Sequence, residues 1–292
     1  MAVFRKAAVF GRRSTPMVDL LKQVIDILKS ENMSYMLEES TAKQMPGETG
    51  YDMPTLGREC DVIIVVGGDG TTLGIARDML GYHLPMIAIN GGHLGFITAM
   101  GRNEIAVKLP AMLNGQYRSE SRAMLMARLY RNRLCVFENT AVNDAGITHG
   151  IAGSMVEYSI SVDNHPMAVQ KADGIIVASA TGSTAYSMAC GGPIMHPKMQ
   201  GMTVVSIAPH TLTNRPIVIP RDSVVQIRLI NAREAEAYCD MQVFTPMQKG
   251  DVLSVSSINH AFTLLEPLDH NHYEVLRRKF YWNTMPNEDS GA

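Results

Sequence analysis

One aspartate lies among glycines where the sequence predicts the end of a strand and the start of a helix. Asp69 follows an unbroken apolar run, residues 62–66, and precedes an apolar-periodic segment, residues 73–80. Glycines let backbone N–H groups converge on a ligand, and a helix behind them adds about half a positive charge at its N-terminus. Phosphate suits such a site, although a plain Asp-Gly turn is the alternative interpretation. The predicted phosphate loop comprises Gly67, Gly68, Gly70 and Thr71.

This loop differs from two familiar phosphate-binding motifs. No lysine occurs between residues 61 and 81, so the Gly-Lys-Ser/Thr ending of a P-loop is absent. The dinucleotide fingerprint also fails, because Leu73 occupies the place of its third glycine and no acidic residue lies about 20 positions further on. What remains is an aspartate at the carboxyl end of a strand, which is where ligands bind in open α/β sheets.

A second polar set lies in the other half of the chain. Asn143 and Asp144 end one strand-like run, and Lys171 and Asp173 precede a loop rich in hydroxyl groups. Hydroxyls and carboxylates can bind ribose and amide groups, so these residues alone predict a polar ligand site. An ordinary Ser/Thr-rich turn is the alternative. The loop contains Thr181, Gly182, Ser183, Thr184, Ala185, Tyr186 and Ser187.

Composition excludes several classes of protein. The chain has 292 residues, 46% of them hydrophobic, which is enough for a large core and for two domains. A net charge of −2 argues against bulk nucleic-acid binding. No run reaches the roughly 18 apolar residues of a membrane span and no signal peptide is evident, so we expect a cytoplasmic protein. Four distant cysteines and nine scattered histidines predict reduced thiols and no metal site of their own.

The first part of the chain, residues 1–120, reads as an α/β domain. Buried strands at 7–10, 62–66 and 85–90 alternate with helical patterns, which is typical of a parallel sheet. A second glycine segment, residues 91–96, is expected beside the first, so that the two could form the walls of a nucleotide cleft. A stretch rich in Pro, Gly and polar residues, 43–57, is expected to be a surface loop.

The second part, residues 121–267, reads as a β-rich and mainly antiparallel domain. Short strand-like runs follow one another, with hairpin turns placed at 131–132 and 163–164. Residues 252–256 and 262–265 are predicted as two separate runs. A helix containing Leu276 is expected to return to the first domain, so that residues 268–292 complete it.

The order of the motifs resembles bacterial NAD kinases, the ATP-NAD kinase family, over residues 10–281. Similar GGDGT loops occur in diacylglycerol kinases and phosphofructokinases, but TGSTAYS with GGP separates them. The resemblance implies an N-terminal Rossmann-like α/β domain, a C-terminal β-sandwich-like domain and a C-terminal helix returning to the first. The motifs are GGDGTTL, NGGHLGF, ND, KADG, TGSTAYSMACGGP and PHTLTNRP.

The resemblance also implies a reaction. The γ-phosphoryl of ATP passes to the 2′-hydroxyl of the adenosine ribose of NAD, giving NADP, with a divalent cation such as Mg²⁺ or Mn²⁺. Asp69 matches the proton acceptor of the family, with metal ligation as a competing role, and Gly70 belongs to the same nucleotide contact. Lys171 stands where a basic residue is associated with preferring NAD over NADH. Gln242 resembles the end of the Asp-Gly-Gln motif of the family, with Met241 in place of its small middle residue. The other residues matching dinucleotide-binding positions are Asn143, Asp144, Asp173, Thr184, Ala185, Tyr186, Ser187, Met188 and Ala189.

Two other functions compete with this one. The first is a kinase of the same superfamily that acts on a lipid or sugar hydroxyl. The second is a nucleotide-sensing module without turnover, in which Asp69 only contacts ribose. NAD and ATP are the expected partners, with no nucleic acid and no membrane. By resemblance we expect a homo-oligomer, either a dimer or a tetramer.

Overall fold

The structure is a computed structural model that describes residues 2–14, 16–92, 95–150 and 153–282. The chain divides into two compact units. Unit 1 contains the residues up to Ser121 and those from Phe262 onward, and unit 2 is Arg122–Ala261. The predicted domain limits stay a prediction: residues 1–120 with 268–292 for the first domain, and residues 121–267 for the second. No helix within the described ranges is long and apolar enough to cross a membrane.

The helices and strands alternate in the first part of the chain, and strands dominate the second. The first elements are β1 (Lys6–Gly11), α1 (Val18–Ser30), β2 (Ser34–Glu38), α2 (Glu39–Ala42), β3 (Gly50–Tyr51), α3 (Met53–Glu59), β4 (Val62–Gly67), α4 (Asp69–Asp78), β5 (Pro85–Asn90), β6 (Met100–Gly101) and α5 (Ile105–Leu113). They are followed by β7 (Tyr117–Arg131), β8 (Leu134–Ala141), β9 (Asp144–His149), β10 (Val156–Val162), β11 (His165–Ala172), β12 (Gly174–Ser179), α6 (Tyr186–Ala189), β13 (Gly201–Ile207), β14 (Ile217–Pro220), β15 (Val225–Asn231), β16 (Ala235–Cys239), β17 (Val243–Pro246), β18 (Val252–Pro267) and α7 (His272–Phe280).

Unit 1 is built on a parallel sheet in the order β5-β4-β1-β2-β3, with the end of β18 paired to β5. All six residues of β4 are buried, as its unbroken apolar sequence predicts. The apolar stripe of α1, which includes Leu21, Val24 and Leu28, packs in the same core as alternate residues of β1, β4 and β5. Each such side chain contributes about 1.5–3 kcal/mol on burial. The α/β prediction is therefore confirmed.

The C-terminal helix belongs to unit 1, as predicted. The Asn271 side chain accepts hydrogen bonds from the N–H groups of Tyr273 and Glu274 and so starts α7. Val275 and Leu276 are buried. The ring of Phe280 lies 5.6 Å from the ring of Phe96, so α7 contacts the segment that follows β5.

Unit 2 is a sandwich of two antiparallel layers, which confirms the second half of the predicted fold class. One layer runs β14-β13-β12-β9-β16-β17, and the other contains β11-β10-β15-β18 with β7 and β8. Alternate residues of both layers, such as Ile147, Val177 and Ile227, meet in one core. The predicted turn at 163–164 is confirmed by the positive φ angles of Asp163 and Asn164.

Three details of the predicted elements were wrong. Residues 43–57 are not all loop, because β3 and most of α3 lie there, and Asp52 with Pro54 supplies a helix start that was overlooked. The turn between β7 and β8 is at Asn132 and Arg133, one residue later than predicted, since these two residues have positive φ. The runs at 252–256 and 262–265 are one strand, β18, in spite of the positive φ of His260.

Candidate active site

The residues of the predicted phosphate loop lie at the end of β4 and the start of α4, with one residue of extended backbone between the two elements. Gly67 ends the strand, Gly68 is the N-cap, and Asp69 is the first residue of the helix. The Gly68 carbonyl accepts hydrogen bonds from the N–H groups of Thr71 and Thr72, both at 3.1 Å. A Cβ built on Gly68 would meet nothing within 4 Å among the described residues. The predicted strand, glycine turn and helix start are confirmed.

The Asp69 carboxylate points at three consecutive backbone N–H groups of the segment after β5. Oδ2 accepts a hydrogen bond from Phe96 at 2.8 Å, and Oδ1 accepts from Ile97 at 3.2 Å and Thr98 at 3.3 Å. We call these three amides the amide cradle. The sequence singled out Asp69 but gave no sign of the cradle, because its donors are backbone groups more than 25 positions away.

Parallel strand ends bring further groups to the same edge of the unit 1 sheet. β1 pairs with β4, and β4 pairs with β5, both in parallel. The N–H of Arg12 donates to the carbonyl of Val66 at 3.0 Å, and the N–H of Gly91 donates to the carbonyl of Gly67 at 3.3 Å. The two glycine segments therefore lie side by side, as predicted. Residues 93 and 94 of the second segment lie outside the described residues.

Arg12 and Arg13, which follow β1, differ in their contacts. The Arg13 guanidinium lies 3.4 Å from the carboxylate of Glu38. Arg12 donates from Nε to the Ser14 hydroxyl at 3.0 Å and has no carboxylate partner in the part of the chain that the structure describes. The carbonyl of Arg12 accepts a hydrogen bond from the Gln44 side chain at 3.1 Å, which holds the backbone. Arg12 is thus an exposed cation beside the phosphate loop.

In unit 2, Asn143 and Asp144 lie against the turn that follows β12. The N–H of Ser179 donates to the Asn143 carbonyl at 2.8 Å, and its hydroxyl donates to the Val142 carbonyl at 2.6 Å. A Cβ at Gly182 would lie far inside van der Waals contact with the Asn143 backbone, so only glycine permits this approach. The structure therefore brings Asn143 and Asp144 together with the turn Thr181–Thr184.

Asp144 is an almost fully buried acid. Its residue is 2% exposed, and its Oδ1 has no hydrogen-bond partner within the described residues. Burial, and secondly the negative charge of Asp240, raise the pKa of Asp144 to about 7. A carboxyl group that is partly neutral near pH 7 can donate as well as accept a hydrogen bond. Asp144 is therefore suited to a polar ligand.

The predicted segment 184–189 covers the outer face of the layer that contains Asp144. Thr184 ends the short turn, Ala185 links it to α6, and Tyr186 packs with Cys190 on Ile176 and neighbouring apolar residues. Burial raises the pKa of Tyr186, and the nearby Cys190, Asp144 and Asp173 raise it further. The segment and the two acids are therefore close enough to interact electrostatically.

Several buried polar atoms on this face of the layer have no hydrogen-bond partner among the described residues. Ser187 Oγ and Tyr238 Oη, like Asp144 Oδ1, are buried without a hydrogen bond to any described residue. Burial raises the pKa of Tyr238 well above its ordinary value, with Asp144 and Tyr186 as further causes. Native proteins rarely leave buried polar groups unsatisfied, so a polar ligand or ordered water is expected to complete them.

Asp240 is a site residue that the sequence motifs did not single out. Its Oδ1 accepts hydrogen bonds from the N–H groups of Asn143 at 2.7 Å and Asp144 at 3.2 Å, and its Oδ2 accepts from Val142 at 3.0 Å. Asp240 thereby fixes the backbone of both predicted ligand residues. The Asp-Gly-Gln resemblance pointed to this stretch but directed attention to its last residue. The clamp itself links residues about 100 positions apart, which no sequence pattern reveals.

Met241, which replaces the small middle residue of the Asp-Gly-Gln motif, has a left-handed backbone conformation. Asp240 and Met241 have φ angles of 52° and 51° in the turn between β16 and β17. Glycine adopts this region readily and other residues do so at a cost, which explains the small residue of the family pattern. Gln242 is exposed, and its N–H donates to the Cys239 carbonyl at 3.0 Å.

Lys171 and Asp173 lie at the junction between β11 and β12. Lys171 is exposed, lies opposite Glu157 of β10, and has no ion pair within the described ranges. Asp173 is held through its backbone: its N–H donates to the Ile207 carbonyl, and its carbonyl accepts from the N–H of His149, both at 2.9 Å. The Asp173 carboxylate has no hydrogen bond or ion pair with another residue in the part of the chain that the structure describes.

The fold and the placement of these side chains define a class of protein, a nucleotide-binding phosphotransferase with an aspartate at the head of a helix behind a glycine turn. Within that class the chain belongs to the ATP-NAD kinase family. It matches the ATP-NAD kinase N-terminal domain over residues 15–117 and the ATP-NAD kinase C-terminal domain over residues 142–266.

Relatives and solved structures agree with this assignment. The chain is 40% identical to the NAD kinase of Cupriavidus pinatubonensis, covering 98% of this chain and 95% of that protein. It is 39% identical to the NAD kinase of Burkholderia thailandensis, covering 98% and 97%. The fold is similar to yeast NADH kinase complexed with NADH (TM-score 0.85, 20% identity, 96% and 89% coverage). It is also similar to an NAD kinase from Archaeoglobus fulgidus in complex with ATP (TM-score 0.73, 21% identity, 94% and 98% coverage).

Proposed function

We propose that this chain transfers the γ-phosphoryl group of ATP to the 2′-hydroxyl of the adenosine ribose of NAD, forming NADP. The observation that supports this best is the Asp69 carboxylate, which is held at the head of α4 beside the glycine turn. The names of the relatives support the choice of substrates. The yeast and archaeal proteins of the same fold bind NADH and ATP respectively.

Asp69 acts on the acceptor hydroxyl chiefly by orienting it. A carboxylate offers about four lone-pair positions. The amide cradle uses three of them, which leaves about one for the ribose hydroxyl. Because a ribose hydroxyl is a very weak acid, its proton moves to Asp69 late, as the new O–P bond forms. A loose phosphoryl-transfer transition state needs little charge on the attacking oxygen, so positioning supplies most of the rate.

The donor phosphates are assigned to the phosphate loop, to the head of α4 and to Arg12. No cluster of three or more carboxylate, histidine or cysteine ligands occurs within the described residues. A divalent cation such as Mg²⁺ or Mn²⁺, bound with the triphosphate, would neutralise phosphate charge during the transfer. Because the cradle leaves Asp69 about one lone-pair position, we assign that position to the hydroxyl rather than to the metal.

The dinucleotide is assigned to the polar set of unit 2. Asp144 and Asp173 suit vicinal ribose hydroxyls or an adenine amino group, and Tyr186 offers an aromatic face. Lys171 is the residue to which we assign the preference for NAD over NADH. The remaining contacts are assigned to Asn143, Thr184, Ala185, Ser187, Met188, Ala189 and Gln242, with Gly70 beside Asp69.

The decisive experiment is an assay with ATP, Mg²⁺ and NAD that measures NADP directly, with NADH, a sugar and a diacylglycerol offered as other acceptors. Formation of NADP supports the proposal. Phosphorylation of only the sugar or the lipid would indicate another kinase of the superfamily. Binding of NAD and ATP without any product would indicate a sensing module. Omission of the metal tests the cation in the same assay.

Two further properties belong to the proposal. We infer a cytoplasmic enzyme, because its substrates are soluble nucleotides and its four cysteines are free thiols, of which Cys60 and Cys239 are buried and Cys135 is exposed. We also infer a homo-oligomer, supported by exposed apolar side chains on the strands at the edge of unit 2, including Leu134, Val136 and Val169. Light scattering coupled to size-exclusion chromatography measures the assembly directly.

A further inference from the structure

Gly95 lies directly against the Asp69 carboxylate. The three atoms nearest to a Cβ built on Gly95 all belong to that carboxylate, with Cγ at 2.5 Å and Oδ2 at 2.6 Å. The φ angle of Gly95 lies outside the left-handed region, so its backbone would accept alanine. Glycine is therefore needed here because the Asp69 carboxylate occupies the position of the side chain.

A chain of buried hydrogen bonds shapes the same segment. Thr98, 1% exposed, accepts hydrogen bonds at its hydroxyl oxygen from the N–H of Gly95 at 2.9 Å and from the Asn90 side chain at 3.1 Å. Asn90, 6% exposed at the end of β5, accepts in turn from the N–H of Gly92 at 2.9 Å. The sheet thus fixes Asn90, Asn90 fixes Thr98, and Thr98 fixes the turn that presents the amide cradle.

We infer that Asn90, Gly95 and Thr98 are positioning residues that set the direction of the Asp69 carboxylate for phosphoryl transfer. This inference rests on the proposed function, in which Asp69 orients the acceptor hydroxyl. None of the three residues needs to touch a substrate. Their effect passes through the cradle, which holds the carboxylate with its remaining lone pair in one direction.

The effect on rate follows from geometry. An attacking hydroxyl must lie in line with the phosphoryl group, and a misplacement of about 1 Å costs about 100-fold in rate. Loss of the Thr98 hydroxyl leaves a buried Gly95 N–H without its acceptor, so the turn must shift to satisfy it. The amides of Phe96 and Ile97 then move, and the carboxylate moves with them.

The test compares steady-state kinetics of Gly95→Ala, Thr98→Val and Thr98→Ser with the wild type. Gly95→Ala should lower kcat about 100-fold, and Thr98→Val at least tenfold. KM for ATP and for NAD should stay within about threefold, because neither residue binds substrate. Thr98→Ser keeps the hydroxyl and should restore kcat to within about threefold of wild type. Gly101→Ala is the matched control, since among the described residues its Cβ would meet only Glu104 Oε2, at 3.7 Å.

Coupling to Asp69 separates a positioning role from general damage to the fold. If Thr98 acts through Asp69, Thr98→Val should lower kcat much less in an Asp69→Asn background than in the wild type. Full additivity, wild-type kcat in Gly95→Ala, or equal losses in Thr98→Val and Thr98→Ser would overturn the inference. Should Thr98→Val unfold, Gly95→Ala and Thr98→Ser still decide the question. A wild-type protein that forms no NADP would refute the proposed function instead.

Discussion

Replacement of Asp144 by asparagine should stabilise the protein at high pH while weakening its binding of NAD. The wild-type carboxyl has a pKa of about 7, against an ordinary value of 3.8, because burial and Asp240 disfavour its charged form. Between about pH 4 and pH 7 the folded state therefore keeps a proton that the unfolded state has already released. Stability falls as pH rises through this window, and at about 1.4 kcal/mol per pKa unit the loss is on the order of 4 kcal/mol above pH 7.

An amide at this position carries no charge and removes that loss. It leaves its own buried polar atoms short of partners, at a cost of about 1–3 kcal/mol, since Oδ1 of Asp144 already lacks one. The net expectation for Asp144→Asn is a gain of about 1–3 kcal/mol at pH 8 and little or no gain at pH 5. Urea unfolding of both proteins between pH 5 and pH 8.5 measures the difference. The reasoning is refuted if the variant is the less stable protein at pH 8, or if both proteins show the same dependence on pH.

Three further predictions concern single side chains. Arg12→Gln should raise KM for ATP about tenfold and leave KM for NAD unchanged. Arg58→Gln removes the same positive charge at another exposed position and should change neither KM. Equal effects of Arg12→Gln on both KM values would contradict the assignment of Arg12 to the donor phosphates. At pH 5, where Asp144 is protonated, Asp240→Asn places an NH₂ group against the N–H of Val142 and should lower the free energy of unfolding by about 1–3 kcal/mol, while Glu236→Gln on the adjoining strand should leave it within about 0.5 kcal/mol. Met241→Gly should change stability by less than about 1 kcal/mol, whereas Met241→Val should lower it by more, as thermal unfolding would show; a valine variant as stable as the glycine variant would argue against the left-handed backbone.

Local patterns predicted the part of unit 1 that carries Asp69. The short apolar run before Gly67 is typical of a buried strand, and the glycines with the periodic segment behind them predict a turn and a helix start. The edge of the sheet then follows from parallel pairing, which places Arg12 and Gly91 beside Gly67. These features depend on residues that are close together in the sequence, and the hydrophobic periodicity of such short stretches is informative.

The contacts that orient the side chains could not be predicted in this way. The amide cradle and the Asp240 clamp each use backbone N–H groups, and every residue except proline has one, so the sequence does not mark the donors. Asp240 could have been suspected from the Asp-Gly-Gln resemblance, but its partners depend on how β16 pairs with β9. The chemistry of a site is thus visible in residue types, while its geometry depends on the tertiary structure.

The central claim is that the Asp69 carboxylate orients the acceptor hydroxyl, and Asp69→Asn tests it most directly. The measurement is kcat for NADP formation together with Kd for NAD by calorimetry. We predict that kcat falls by at least about 1000-fold while Kd changes by less than about fivefold, because orientation and late proton acceptance are lost and the dinucleotide contacts of unit 2 are not. A variant that forms NADP within tenfold of the wild-type rate would contradict the claim.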